Sequence, residues 1–136
     1  NLRRGPSTSA RILGTELWNT EMGLTSPALA GAWFASVSDG VYGQMAARYR
    51  GRFGGAPYRL SSLGYDAVLL ATKVAANWKL GTAFPLPALD DAGGFSGIDG
   101  PFRFNAYGVA ERALEVQQIG PNGMTVISPA PKGFED

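Results

Sequence analysis

Leu63, Ala67, Leu70, Ala71, Val74 and Trp78 recur at helical spacing, with a serine at 61 or 62 placed to cap the start and Gly81 just past the end. This stretch constrains the fold more than any other. A helix over 62–78 with so broad an apolar stripe has to lie against another layer, because a helix cannot cover its own face. The question is what the rest of the chain offers as that layer.

A second helix precedes it. Ser38 or Asp39 is placed as its N-cap, and Val41, Met45, Ala46 and Tyr49 fall on one face. Gly54-Gly55 followed by Pro57 stops it near Phe53. Upstream, Arg11 to Trp18 has the short, mostly apolar texture of an inner parallel strand, followed by polar Asn19, Thr20 and Glu21. Ala32 to Val37, beyond the Ser26-Pro27 break, reads as a second strand.

After Phe84 the texture changes. Pro85 and Pro87 rule out a long helix, and the glycine-rich run Gly93 to Gly100 demands tight turns before Phe102-Arg103-Phe104. Asn105-Ala106-Tyr107-Gly108 is a turn. Residues 112–119 alternate imperfectly, Ala113, Glu115 and Gln117 against Leu114, Val116 and Gln118. Gly120-Pro121-Asn122-Gly123 then folds the chain back into Met124 to Ile127 as a hairpin. The tail after Ser128, with Pro129, Pro131 and Gly133, carries no pattern for a regular element.

The pattern is mixed α/β. Two parallel strands cannot make a covered sheet by themselves, so the missing strands are expected upstream. The sequence opens at Asn1 without a methionine, on a basic Gly/Pro/Ser-rich stretch to Ser9 that reads as a loop entered midway. Any targeting signal or lipid anchor is likewise expected upstream, since no stretch here has the apolar run of a signal peptide or a membrane span.

Composition narrows function mainly by exclusion. Twelve basic and eleven acidic residues give a net charge of +1, too small for a nucleic-acid footprint. The cluster Arg48, Arg50 and Arg52 reads as a solvated helix end. With neither cysteine nor histidine, the sequence lacks thiol nucleophiles, thiolate metal sites and the commonest general base, and a non-enzyme is expected. Asp90, Asp91 and Asp99 lack the spacing of a calcium loop, so no metal site is expected, and no cofactor. Gly97 and Gly100 flank Ile-Asp ahead of a strand, the reverse of a phosphate-cradling loop, and read as turn glycines.

Six short motifs occur in an order that resembles the last third of the type I periplasmic binding proteins, the leucine/isoleucine/valine-binding family. They are Leu13-Gly14-Thr15-Glu16, Leu29 to Phe34, Arg48 to Gly54 with Pro57, Tyr65-Asp66-Ala67, Phe95 to Gly100 with Phe102-Arg103-Phe104, and Asn105-Ala106-Tyr107-Gly108. The resemblance runs from about Arg11 to Ile127. Gly14 to Asn19 and the closing Ser128-Pro129-Ala130-Pro131 look most like the branch of penicillin-binding-protein activators, the LpoA-like lipoproteins.

The resemblance implies two flavodoxin-like lobes with three crossings between them and a ligand in the cleft. Residues 1–35 would belong to the second lobe, 36–98 to the first, and 99–136 to the second again, with the N-terminal remainder of the protein completing both. It implies a periplasmic, non-enzymatic receptor for a small polar ligand or amino acid, handing it to an ABC transporter membrane component. The activator branch implies instead a regulator that binds a peptidoglycan synthase. Glu16 matches the acidic residue that contacts a ligand ammonium, which suits a carboxylate at the C-terminal end of a parallel strand. Trp18 and Asn19 would add a stacking face and an amide, with core packing as the competing role for Trp18. Trp33, Phe34 and Trp78 are expected in the core. Asp66 is read as structural, near a helix start where the dipole favours an acid.

Overall fold

The computed structural model describes residues 10–19 and 27–134. The readings made for Asn1–Ser9, for Thr20 and Glu21 and for Ser26 lie outside the described residues. The chain divides into two compact units: residues 1–37 with 114–130, and 38–113 with 131–136.

The first unit is built on a four-stranded sheet, β1 (Leu13–Gly14), β2 (Trp33–Ser36), β6 (Glu115–Gly120) and β7 (Gly123–Ser128), in that spatial order. β1 runs parallel to β2, β2 pairs antiparallel with β6 (Phe34 opposite Gln117), and β6 pairs antiparallel with β7. The expected hairpin is therefore present, turning at Gly123 with φ +124°, a region that glycine enters without strain. Ala32, Phe34 and Ile119 form the buried centre, with Ile12, Trp18 and Leu29 packed around it.

The strand expected over 11–18 is mostly absent. Only Leu13–Gly14 pairs, at one end of the strand order among the described residues, and Leu13 and Leu17 are exposed there. The Trp18 N–H donates to the Thr15 carbonyl at 3.0 Å, closing a 3-10 turn over Glu16–Asn19 that ends the strand.

The second unit holds α1 (Gly40–Phe53), α2 (Ser61–Ala75) and an antiparallel sheet of β3 (Phe95–Gly97), β4 (Gly100–Phe104) and β5 (Ala110–Arg112). Segment 99–113, which the resemblance gives to the second lobe, is hydrogen-bonded to β3 and lies in this unit. Gly54 ends α1 at φ +76°, its N–H on the Arg50 carbonyl, as the sequence implies. Neither helix start has a side-chain cap. Asp39 sits at the N-cap of α1 without a capping bond, and the Ser61 hydroxyl donates backward to the Tyr58 carbonyl at 2.6 Å.

The face that α2 buries differs from the expected stripe. Ser62, Asp66 and Val74, four and eight residues apart, are its buried positions, whereas Leu63, Tyr65, Val68 and Leu69 are exposed. Trp78 lies beyond the end of α2 and is not core: it is 39% exposed, edge-on to Phe84, with its indole N–H on the Thr82 carbonyl. Arg48, Arg50 and Arg52 are exposed on the last turns of α1, as read.

Candidate functional site

The three residues singled out from the sequence, Glu16, Trp18 and Asn19, share one 3-10 turn directly after β1. The turn exists because Gly14 has no side chain: a Cβ there would collide with the Trp18 ring. Trp18 folds back over Gly14 and meets Phe34, ring centroids 6.0 Å apart. One side of the ring thus packs on the core, where an aromatic pair adds to area burial, and the residue as a whole is only partly buried. Glu16 is exposed at the head of the turn and Asn19 is half-buried at its end. An exposed carboxylate and an amide three residues on form a polar pair that can accept from a ligand ammonium and donate to a ligand oxygen.

The second unit concentrates its charge elsewhere. Asp66 and Asp99 are each 2% exposed. Asp66 accepts the Ile98 N–H at 2.7 Å and pairs with Arg112 Nη1 at 3.1 Å. Asp99 pairs with Arg59 Nη1 at 2.7 Å and accepts the Ser62 hydroxyl at 2.6 Å. A buried carboxylate is tolerated when charge and hydrogen bonds both answer it, and here they do.

Asp66 is structural, as the sequence reading held, but for a different reason: it serves as an ion-pair and hydrogen-bond anchor rather than as a dipole partner. Gly97 is likewise not a positive-φ turn residue. Asp66 presses against its Cα face, where a Cβ would clash with the carboxylate. Gly100, at φ +91°, is the true turn glycine. The signal for this cluster was present as Tyr65-Asp66-Ala67 and Gly97-Ile98-Asp99-Gly100. Nothing in spacing alone ties two motifs thirty residues apart.

Between the exposed faces of α1 and α2 lies an apolar groove of about 270 Å³, lined by Val41, Met45, Tyr49, Phe53 and Tyr65 together with Arg48 and Arg52. Among the described residues there is no cluster of metal-ligating side chains. No helix among them is long and apolar enough to cross a membrane.

No protein-family model matches the sequence, and no curated protein matches it either. Solved structures do. A candidate branched-chain amino acid ABC transporter from Rhodospirillum rubrum aligns over 93% of this chain and 38% of its own, at 19% identity and a TM-score of 0.73. An ABC transporter substrate-binding protein from Desulfitobacterium hafniense, in complex with Leu, aligns over 87% of this chain and 36% of its own, at 17% identity and a TM-score of 0.58. A solute binding protein from R. palustris, in complex with benzoate, aligns over 92% of this chain and 38% of its own, at 17% identity and a TM-score of 0.54. These are type I periplasmic binding proteins, and the chain has the α/β fold of part of one. It spans little more than a third of the length of the solved chains it resembles. None of the three favours the activator branch.

Proposed function

We propose that this chain is part of a non-enzymatic, periplasmic solute-binding protein that recognises a small polar ligand of the amino-acid class and serves an ABC transporter. The observation that carries the reading is the likeness over 93% of the chain to the Rhodospirillum rubrum structure. The leucine and benzoate complexes among its neighbours support a small ligand bearing a carboxylate. In this reading the first unit belongs to the second lobe and Ser38–Ala113 to the first. Glu16 takes the ligand ammonium, Asn19 adds an amide, and Trp18 fixes the turn that presents both. No observation gives the synthase-regulator reading support of its own.

The test is calorimetry on the full-length protein with leucine, a panel of other amino acids, and benzoate. Glu16→Gln should weaken binding of an amino acid by about 1.5–3 kcal/mol, the worth of a hydrogen bond to a charged group. That is roughly a tenfold to hundredfold rise in Kd. Benzoate, which has no ammonium, should be indifferent to the substitution. An amino acid whose affinity ignores Glu16→Gln would remove Glu16 from the site, and a protein that binds none of the panel would overturn the reading itself.

A further inference from the structure

The chain passes between its two units at Val37–Ser38, at Ala113–Leu114 and at Ala130–Pro131. Inside the second unit, the first two passages begin or end beside one buried polar block. At the first, Arg59 Nη2 lies 3.5 Å from Asp39, and the Arg59 guanidinium covers the Tyr42 ring at 4.0 Å. One arginine therefore holds the first turn of α1 by an ion pair and a cation–π contact. Its other arm, Nη1, is fixed by Asp99 at 2.7 Å.

At the second passage, Arg112 pairs with Asp66 at 3.1 Å, and the Ala113 N–H donates to the Pro101 carbonyl at 3.0 Å. The two acids belong to one contact. Ser62, which donates to Asp99, and Asp66 sit one turn apart on α2; Ile98, which donates to Asp66, is the residue before Asp99. Both passages are thus tied to the seam between the N-terminal half of α2 and the turn 97–100. The pairs that Asp66 and Asp99 make with Arg112 and Arg59 lie largely out of water and escape the screening that weakens surface pairs. Asp39 is half exposed, so the first passage depends more on the Arg59–Tyr42 contact. The third passage is held differently, by the Phe134 ring under Arg103 at 4.7 Å, on β4.

We propose that this seam is a common anchor for the first two passages, so that loosening it at one releases the other and leaves the third as it was. It is a conformational device: segments that bend at the passages do so from a single fixed point. The inference does not depend on the solute-binding reading, and its test needs no ligand.

The test is amide hydrogen exchange on the full chain with Asp99→Asn, which keeps the side-chain shape and removes the charge that Arg59 faces. The reporters are the Gly43 N–H, bonded to the Asp39 carbonyl at the first passage, and the Ala113 N–H at the second. Both should exchange roughly tenfold faster, the effect of weakening a hydrogen bond to a charged group. The amides of Gly31 and Ile119, bonded within the first unit, should be unchanged. Faster exchange at Gly43 with Ala113 unmoved would overturn the shared anchor. An equal rise at Gly31 and Ile119 would also overturn it, by showing a general loss of stability. Should Asp99→Asn fail to fold, Tyr42→Leu loosens only the first passage directly, and an unmoved Ala113 in that variant is equally decisive against the proposal.

Discussion

In the first unit the buried apolar cluster around β2 is Ala32, Phe34 and Ile119, with the small hydroxyl of Ser36 equally buried on the same strand. In the second, α2 turns Ser62 and Asp66 toward the sheet, where Asp99 is as deeply buried as Asp66. The first arrangement is centred on apolar area, which is non-directional and adds up by contact. The second depends on geometry, because a buried acid is tolerated only while its partners stay in place. A unit of the first kind should degrade gradually as its side chains shrink. A unit of the second kind should fail when one partner is removed and recover when both are.

The sharpest way to break that comparison is at Phe34. Phe34→Ala should cost about 4 kcal/mol, transfer and cavity together, as measured by urea denaturation. A loss under about 1 kcal/mol would mean that the sheet of the first unit is not centred on Phe34. Asp66→Ala should cost about 3 kcal/mol, most of it from leaving Arg112 buried without its counter-charge. The informative step is the double change Asp66→Leu with Arg112→Leu, which should recover most of that loss. If the double variant is as unstable as the single one, the packing of α2 and not its charge holds the sheet. Gly97→Ala should cost about 1–3 kcal/mol, because the new methyl group occupies space held by the Asp66 carboxylate. Gly64→Ala lies on the same helix, with nothing within 4 Å of the added Cβ. It should stabilise by about 0.5–1 kcal/mol through helix propensity alone, so the two glycines should move the unfolding midpoint in opposite directions.

What the sequence disclosed divides by the range of the signal and not by unit. The helix expected over 39–53 is found at Gly40–Phe53, and the strand expected over 32–37 is found at Trp33–Ser36. The 112–119 with 124–127 hairpin is found at Glu115–Gly120 with Gly123–Ser128. Each rests on apolar periodicity or on a glycine stop, signals that act within a few residues. The helix over 62–78 is found three residues shorter at its end, and its face is misread for a physical reason. Periodicity scores Ser62 and Asp66 as surface, yet they are buried because Asp99 and Arg112 answer them from 37 and 46 residues away. The Arg11 to Trp18 run fails differently: its apolar residues are real, but Trp18 folds back onto Gly14 and ends the strand after two residues. The Glu16–Asn19 grouping was legible because it is contiguous. The α2 anchor was not, because it is assembled from four separate stretches.

The contact between Asp66 and Gly97 also bears on how such a sequence can change over generations. While the acid occupies its place, position 97 admits only a residue without a Cβ, and a shorter residue at 66 would strand Arg112. Neither position can drift first without passing through a weakened intermediate, so the two are expected to be replaced together or to stay fixed together. A saturation library covering both positions at once would expose this: permissive pairs should appear that no single-site scan of either position contains.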